Sequence, residues 1–146
     1  MGSFHTSKAF FRLYSPHAKE AASRSRPPPG GRIVNVASQA AHVALDGHGP
    51  YCASKAGLIA LTKYMANEWA PQGITANTVS PGVILTAMGR KAWADEAVKA
   101  RHLMEIPTRR FAEAEEVAAA METRCQEESG MINGADLRID GGFTIR

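Results

Sequence analysis

No stretch of this 146-residue chain approaches the roughly eighteen consecutive apolar residues that a membrane-spanning helix needs, so no membrane partner is expected. The apolar core of a secretory signal is missing as well. Cysteine is scarce. Cys52 and Cys125 stand far apart, outside any C-x-x-C or Cys/His spacing, which argues against a disulfide scaffold and predicts unpaired thiols in a reducing, cytoplasmic compartment. Charge of one sign is not in large excess: a net +3 gives little footing for a nucleic-acid partner, and none is expected. That excess is also local, because Lys8, Arg12, Lys19, Arg24, Arg26 and Arg32 face only Glu20 within residues 1–32. Lastly, no glycine-rich phosphate-cradling turn precedes residue 51.

What is present describes an ordinary globular chain. Apolar residues make up 45% and charged residues 21%, enough for one domain with a normal core. Residues 1–30 read as a variable basic arm: a helix over 4–22 with Phe4, Phe11, Tyr14 and Ala18 near one face, which Pro16 should kink or shorten. The proline-rich loop over 23–31 follows it. Met1-Gly2 with Thr6 fits the myristoylation pattern, and the basic first 26 residues loosely resemble a transit peptide, but both patterns are short and permissive.

Residues 31–146 read as the domain proper. The β-branched run Ile33-Val34-Asn35-Val36-Ala37 predicts a buried strand. A long helix is expected over 51–70, ended by Pro71 and Gly73, then a strand over 74–79 stopped by Ser80-Pro81-Gly82. Helices over 87–104 and 113–123 and a last strand over 135–140 complete the pattern. Strands alternating with helices imply an α/β layer fold with a short parallel sheet. The polar stretch over 121–130 should make the preceding helix end early and expose itself.

The chemistry centres on Y-C-A-S-K. Tyr51 and Lys55 are four residues apart, hence one turn apart on one helix face, and Ser38 is delivered from the end of the preceding strand. A free tyrosine titrates near pH 10, and making it a base at neutral pH takes about 4 kcal/mol of preferential phenolate stabilisation, which a neighbouring ammonium helps to supply. A serine hydroxyl could hold a substrate oxygen in line for proton transfer. Y-x-x-x-K alone is a weak signal that many solvated helix faces carry. Its context strengthens it: the loops after Val36 and Val79 both leave carboxyl ends of strands, where open parallel sheets bind ligands. His42, Asp46 and His48 fit no strong metal spacing and read as surface loop residues, so no metal is expected.

The segments G-R-I-V-N-V-A-S, Y-C-A-S-K, N-T-V-S-P-G-V-I-L-T and G-A-D-L-R-I-D-G-G, in that order, resemble the C-terminal half of a short-chain dehydrogenase/reductase. The resemblance implies a partial Rossmann-like three-layer fold and hydride transfer between NAD or NADP and a secondary alcohol or ketone, closest in flavour to polyol and sugar-alcohol dehydrogenases. It implies Tyr51 as general acid/base, Lys55 as the ligand of the nicotinamide ribose that lowers the phenol pKa, and Ser38 as the residue orienting the substrate. Pro81, Gly82, Val83, Ile84 and Thr86 would face the nicotinamide end of the cofactor. A homo-oligomer, or association with full-length homologues, is expected.

The chain departs from the family in lacking the glycine-rich first βα unit, the N-N-A-G segment and the catalytic asparagine, so it reads as a truncated member. An alternative therefore stands beside the enzyme: an inactive homologue acting as an interaction or oligomerisation protein through an unpaired sheet edge.

Overall fold

The computed structural model describes residues 2–23 and 30–145; most of the proline-rich loop lies outside them. The element order is α1 (Gly2–Ser23), β1 (Gly31–Val36), α2 (Gly49–Trp69), β2 (Ile74–Pro81), α3 (Ala87–Ala92), α4 (Glu96–Glu105), α5 (Ala114–Cys125) and β3 (Asp136–Ile139). The strands form one parallel sheet in the order β1-β2-β3. It is the α/β arrangement with a short parallel sheet that the alternating pattern implied.

Burial follows position in the sheet. Every residue of the central strand β2 is buried, as a parallel strand covered on both faces requires. The core joins Ile33, Met65, Ala66, Trp69, Ile74 and Ala76, with Phe10, Phe11, Tyr14 and Leu61 packed against it. Two asparagines at β2 are paired, whereas the buried Thr75 hydroxyl on the same strand has no hydrogen-bond partner among the described residues. Asn77 Nδ2 donates to the Ile132 carbonyl at 2.7 Å while its Oδ1 accepts from Ala135 N at 3.0 Å. Asn133 likewise ties Ala76 N to the Ala66 carbonyl. Among the described residues, no helix is long and apolar enough to cross a membrane.

Three expectations about elements need correction. Pro16 does not shorten the first helix: Phe10, Phe11 and Tyr14 anchor it before the proline and buried Ala18 after it, and packing on both sides outweighs one lost hydrogen bond. Residues 87–104 do not form one helix. Asp95 starts α4 by accepting from Ala97 N and Val98 N at 2.9 and 3.0 Å, and Trp93 turns inward to stack on His102, with ring centroids 4.6 Å apart. Helix α5 runs two residues past its expected end, through Cys125, although its surface is indeed exposed and none of it is buried. The connection beyond it is held by Arg32, whose guanidinium donates to the Gln126 and Glu127 carbonyls.

Candidate active site

The site is assembled at the carboxyl ends of β1 and β2. The chain leaves β1 through Ala37, whose N–H still bonds the Val79 carbonyl at 2.7 Å. It then turns at Ser38, which is buried and extended. Ser38 Oγ accepts from Ala40 N at 3.2 Å, capping the short 3-10 turn Gln39–Ala41. A loop through Asp46-Gly47 leads into α2, where Pro50 stands in the first turn, a position at which its missing N–H costs nothing.

Tyr51 follows at once, 44% exposed. Lys55 lies one turn later, with Nζ 5.6 Å from the Tyr51 ring centroid. The ammonium also donates to the Val36 carbonyl at 2.9 Å. Thus the last carbonyl of β1 fixes the lysine, and the lysine stands over the phenol. Ser38 reaches the same end of β1, although among the described residues no hydrogen bond joins it to Tyr51.

The loop after β2 closes the other side. A Cβ on Gly82 would lie 2.8 Å from Gln39 Oε1 and 3.1 Å from Asp140 Cα, so a side chain between the Ser38 turn and the end of β3 would have to push both aside. Its N–H bonds the Ile139 carbonyl at 3.0 Å. Pro81 is buried, and Val83 and Ile84 are half-buried. Backbone bonds from Ala112 N to Val83 O and from Leu85 N to Ala112 O hold that stretch. Thr86 is exposed; its Oγ1 accepts from Gly89 N at 3.1 Å to cap α3, leaving its own O–H free to donate. A cavity of about 320 Å³ opens beside Val83, bounded by Ile106, Thr108, Arg138 and Asp140.

Asp140 anchors this rim. Burial pushes its carboxyl up, but hydrogen bonds from the Thr144 hydroxyl and from the Gly142 and Thr144 N–H groups, with the Arg138 charge, outweigh it and hold the pKa below the usual value.

A family model described as enoyl-(acyl carrier protein) reductase matches residues 10–144, nearly the whole chain. The chain belongs to the short-chain dehydrogenase/reductase family. D-threitol dehydrogenase from Mycolicibacterium smegmatis is 52% identical to this short-chain dehydrogenase/reductase over 80% of the chain and 45% of the relative. An NAD-dependent glycerol dehydrogenase from Listeria innocua is 48% identical over 80% of the chain and 46% of the relative. A gluconate 5-dehydrogenase from Burkholderia cenocepacia, solved with NADP and tartrate, superposes with a TM-score of 0.86 at 29% identity, covering 99% of the chain and 52% of that structure. The chain spans about half the length of the curated relatives it matches.

The sequence offers Ser80 only as the residue before Pro81-Gly82 and Asp136 only as part of the last strand, and nothing in it singles out Gln39. The histidines it grouped with Asp46 part company: His48 Nδ1 contacts the Asp46 backbone oxygen at 2.7 Å, whereas His42 turns to Asp136, 94 residues away.

Proposed function

We propose that the chain carries the catalytic half of an NAD(P)-dependent oxidoreductase acting on a secondary alcohol or ketone of polyol or sugar-alcohol type. The observation that supports this most is the pairing of Lys55 with both the Tyr51 ring and the Val36 carbonyl. A solvated helix face would not tether its ammonium to the last carbonyl of a strand. Tyr51 takes the alcohol proton in oxidation and returns it in reduction, Lys55 supplies the positive charge that proton loss from the phenol needs nearby, and Ser38 orients the substrate oxygen.

The residues present fit the nicotinamide end of the cofactor. Gly82 packs its backbone tightly against Gln39 and Asp140 and so fixes the course of the loop, Val83 and Ile84 offer a partly exposed apolar wall, and Thr86 retains a donor. When bound, the nicotinamide supplies the hydride donor or acceptor. The names of the threitol and glycerol dehydrogenases favour a polyol, and two free thiols suit a reducing cytoplasm. Calorimetric titration with NAD, NADH, NADP and NADPH, followed by oxidation assays on threitol, glycerol and xylitol, tests the reading. Saturable binding and turnover lost in Tyr51→Phe are expected; a folded chain that binds none of the four defeats it.

A second reading is favoured by one observation. Along the free edge of β1, residues Arg32 to Val36 and the α1 residues Ser3, Thr6, Ser7 and Phe10 line a groove of about 500 Å³. Val36 is 44% exposed, although parallel sheets are ordinarily covered on both faces. Under this reading the chain associates through that edge with a second copy or a full-length homologue. Light-scattering mass after co-expression with an intact relative separates the two: a strictly monomeric, folded chain ends the idea.

A further inference from the structure

Thr78 and Ser80 are two residues apart on β2, so their side chains leave the same face of the sheet. Both hydroxyls donate to Asp136 Oδ1 on β3, at 2.5 and 2.6 Å. Asp136 Oδ2 lies 2.8 Å from His42 Nε2. A carboxylate only accepts, so Nε2 carries the proton that faces it. The same N–H is 3.4 Å from Ser80 Oγ, a weaker branch of the same bond. The His42 and Asp136 side chains keep 26% and 11% of their exposure, and Ser80 is fully buried.

Serine, histidine and aspartate together suggest a hydrolytic triad, but the connectivity forbids one. The Ser80 proton points at the carboxylate and not at the ring, and its oxygen is closed to any substrate. What the cluster does instead is join three elements. His42 ends the turn that begins at Ser38, Ser80 precedes Pro81-Gly82, and Asp136 opens β3. The backbone bonds inside the turn are all local: Ala41 N to Ser38 O, and His42 N and Val43 N to Gln39 O. They shape the turn without holding it to the sheet.

We infer that the His42–Asp136 contact is a clamp that fixes the Ser38 turn to the sheet, making His42 a positioning residue for the Ser38 hydroxyl and, through Ser80, for the Pro81-Gly82 loop. The catalytic part of this inference rests on the function proposed above; the clamp itself does not.

Hydrogen–deuterium exchange on the full chain tests it. In His42→Ala, amides of residues 38–43 should exchange about tenfold faster, the effect of losing one charge-assisted hydrogen bond, while the middle of α2 stays at the wild-type rate. His42→Gln, whose amide N–H can reach Asp136 again, should restore most of the protection. If His42→Ala does not fold, Asp136→Asn, which turns the acceptor into a mixed group, carries the same comparison. Unchanged exchange over 38–43 in the variants overturns the clamp. Where the wild type turns over a polyol, His42→Ala should lower kcat about tenfold with KM nearly constant, because a misplaced Ser38 weakens the transition state more than binding. A faster-exchanging turn with wild-type kcat overturns the positioning role. A wild type without turnover defeats the proposed function, and the exchange comparison still decides the clamp.

Discussion

Lys55 holds two contacts at once, the Val36 carbonyl and the face of Tyr51, and they separate its structural role from the chemical one proposed for it. Replacement by methionine keeps most of the stem and removes the ammonium. Turnover in Lys55→Met should fall about a hundredfold or more, the usual scale for acid–base catalysis, with helical circular dichroism unchanged because the side chain is only half-buried. Gly82 is the opposite case, a residue whose importance is steric. Gly82→Ala places a methyl against Gln39 Oε1 and the Asp140 backbone, and overpacking of this kind costs about 1–3 kcal/mol. Urea denaturation should report that loss, and activity should drop with it because Gln39 belongs to the Ser38 turn. Tyr51 and Lys55 were legible in the sequence because a four-residue spacing on a helix is local information. Gln39 was not, because its significance comes from a glycine 43 positions later in the chain.

Among the elements, α5 owes its start to a charged arrangement. Arg110 makes a bidentate pair with Glu116, at 2.6 and 2.7 Å, and the same carboxylate accepts from Glu113 N at 3.0 Å. The side-chain bond from Arg110, then the backbone bond, hold the Glu116 pKa at about 2, below its ordinary value of 4.5. A depressed carboxyl pKa contributes stability that is complete above the unfolded value and is lost as pH falls through the folded one. Glu116→Gln should therefore melt below the wild type at pH 7, and the gap should close between about pH 4.5 and pH 2 when followed by thermal denaturation. The gap will be modest, since both partners are well exposed. Strands and long helices were readable at this scale because their apolar patterns are continuous. The break between α3 and α4 was not: one helix was expected over 87–104, whereas Asp95 caps a new start and Trp93 stacks on His102, a contact made across the break.

Across the molecule, the sheet is covered unevenly. Its centre is sealed, whereas β1 leaves a hydrogen-bonding edge and a half-exposed valine beside α1. If that edge mediates association, Val36→Lys should keep the chain monomeric at concentrations where the wild type gains mass in light scattering, since a lysine on an edge strand blocks pairing. The family and the α/β layering were legible from four short segments because each carries a turn or strand end that the fold needs. The His42–Asp136 contact was not legible, because it spans 94 residues and nothing in the last segment points from Asp136 to a histidine in a distant loop.

Val36 presents its side chain to solvent while its carbonyl tethers the ammonium of Lys55. One peptide unit thus belongs both to the rim of the molecule and to the pair proposed to handle the proton. Under the proposed function, fraying or tightening at that border would reach the lysine through this one carbonyl, so order at the margin and chemistry within would draw on a single equilibrium.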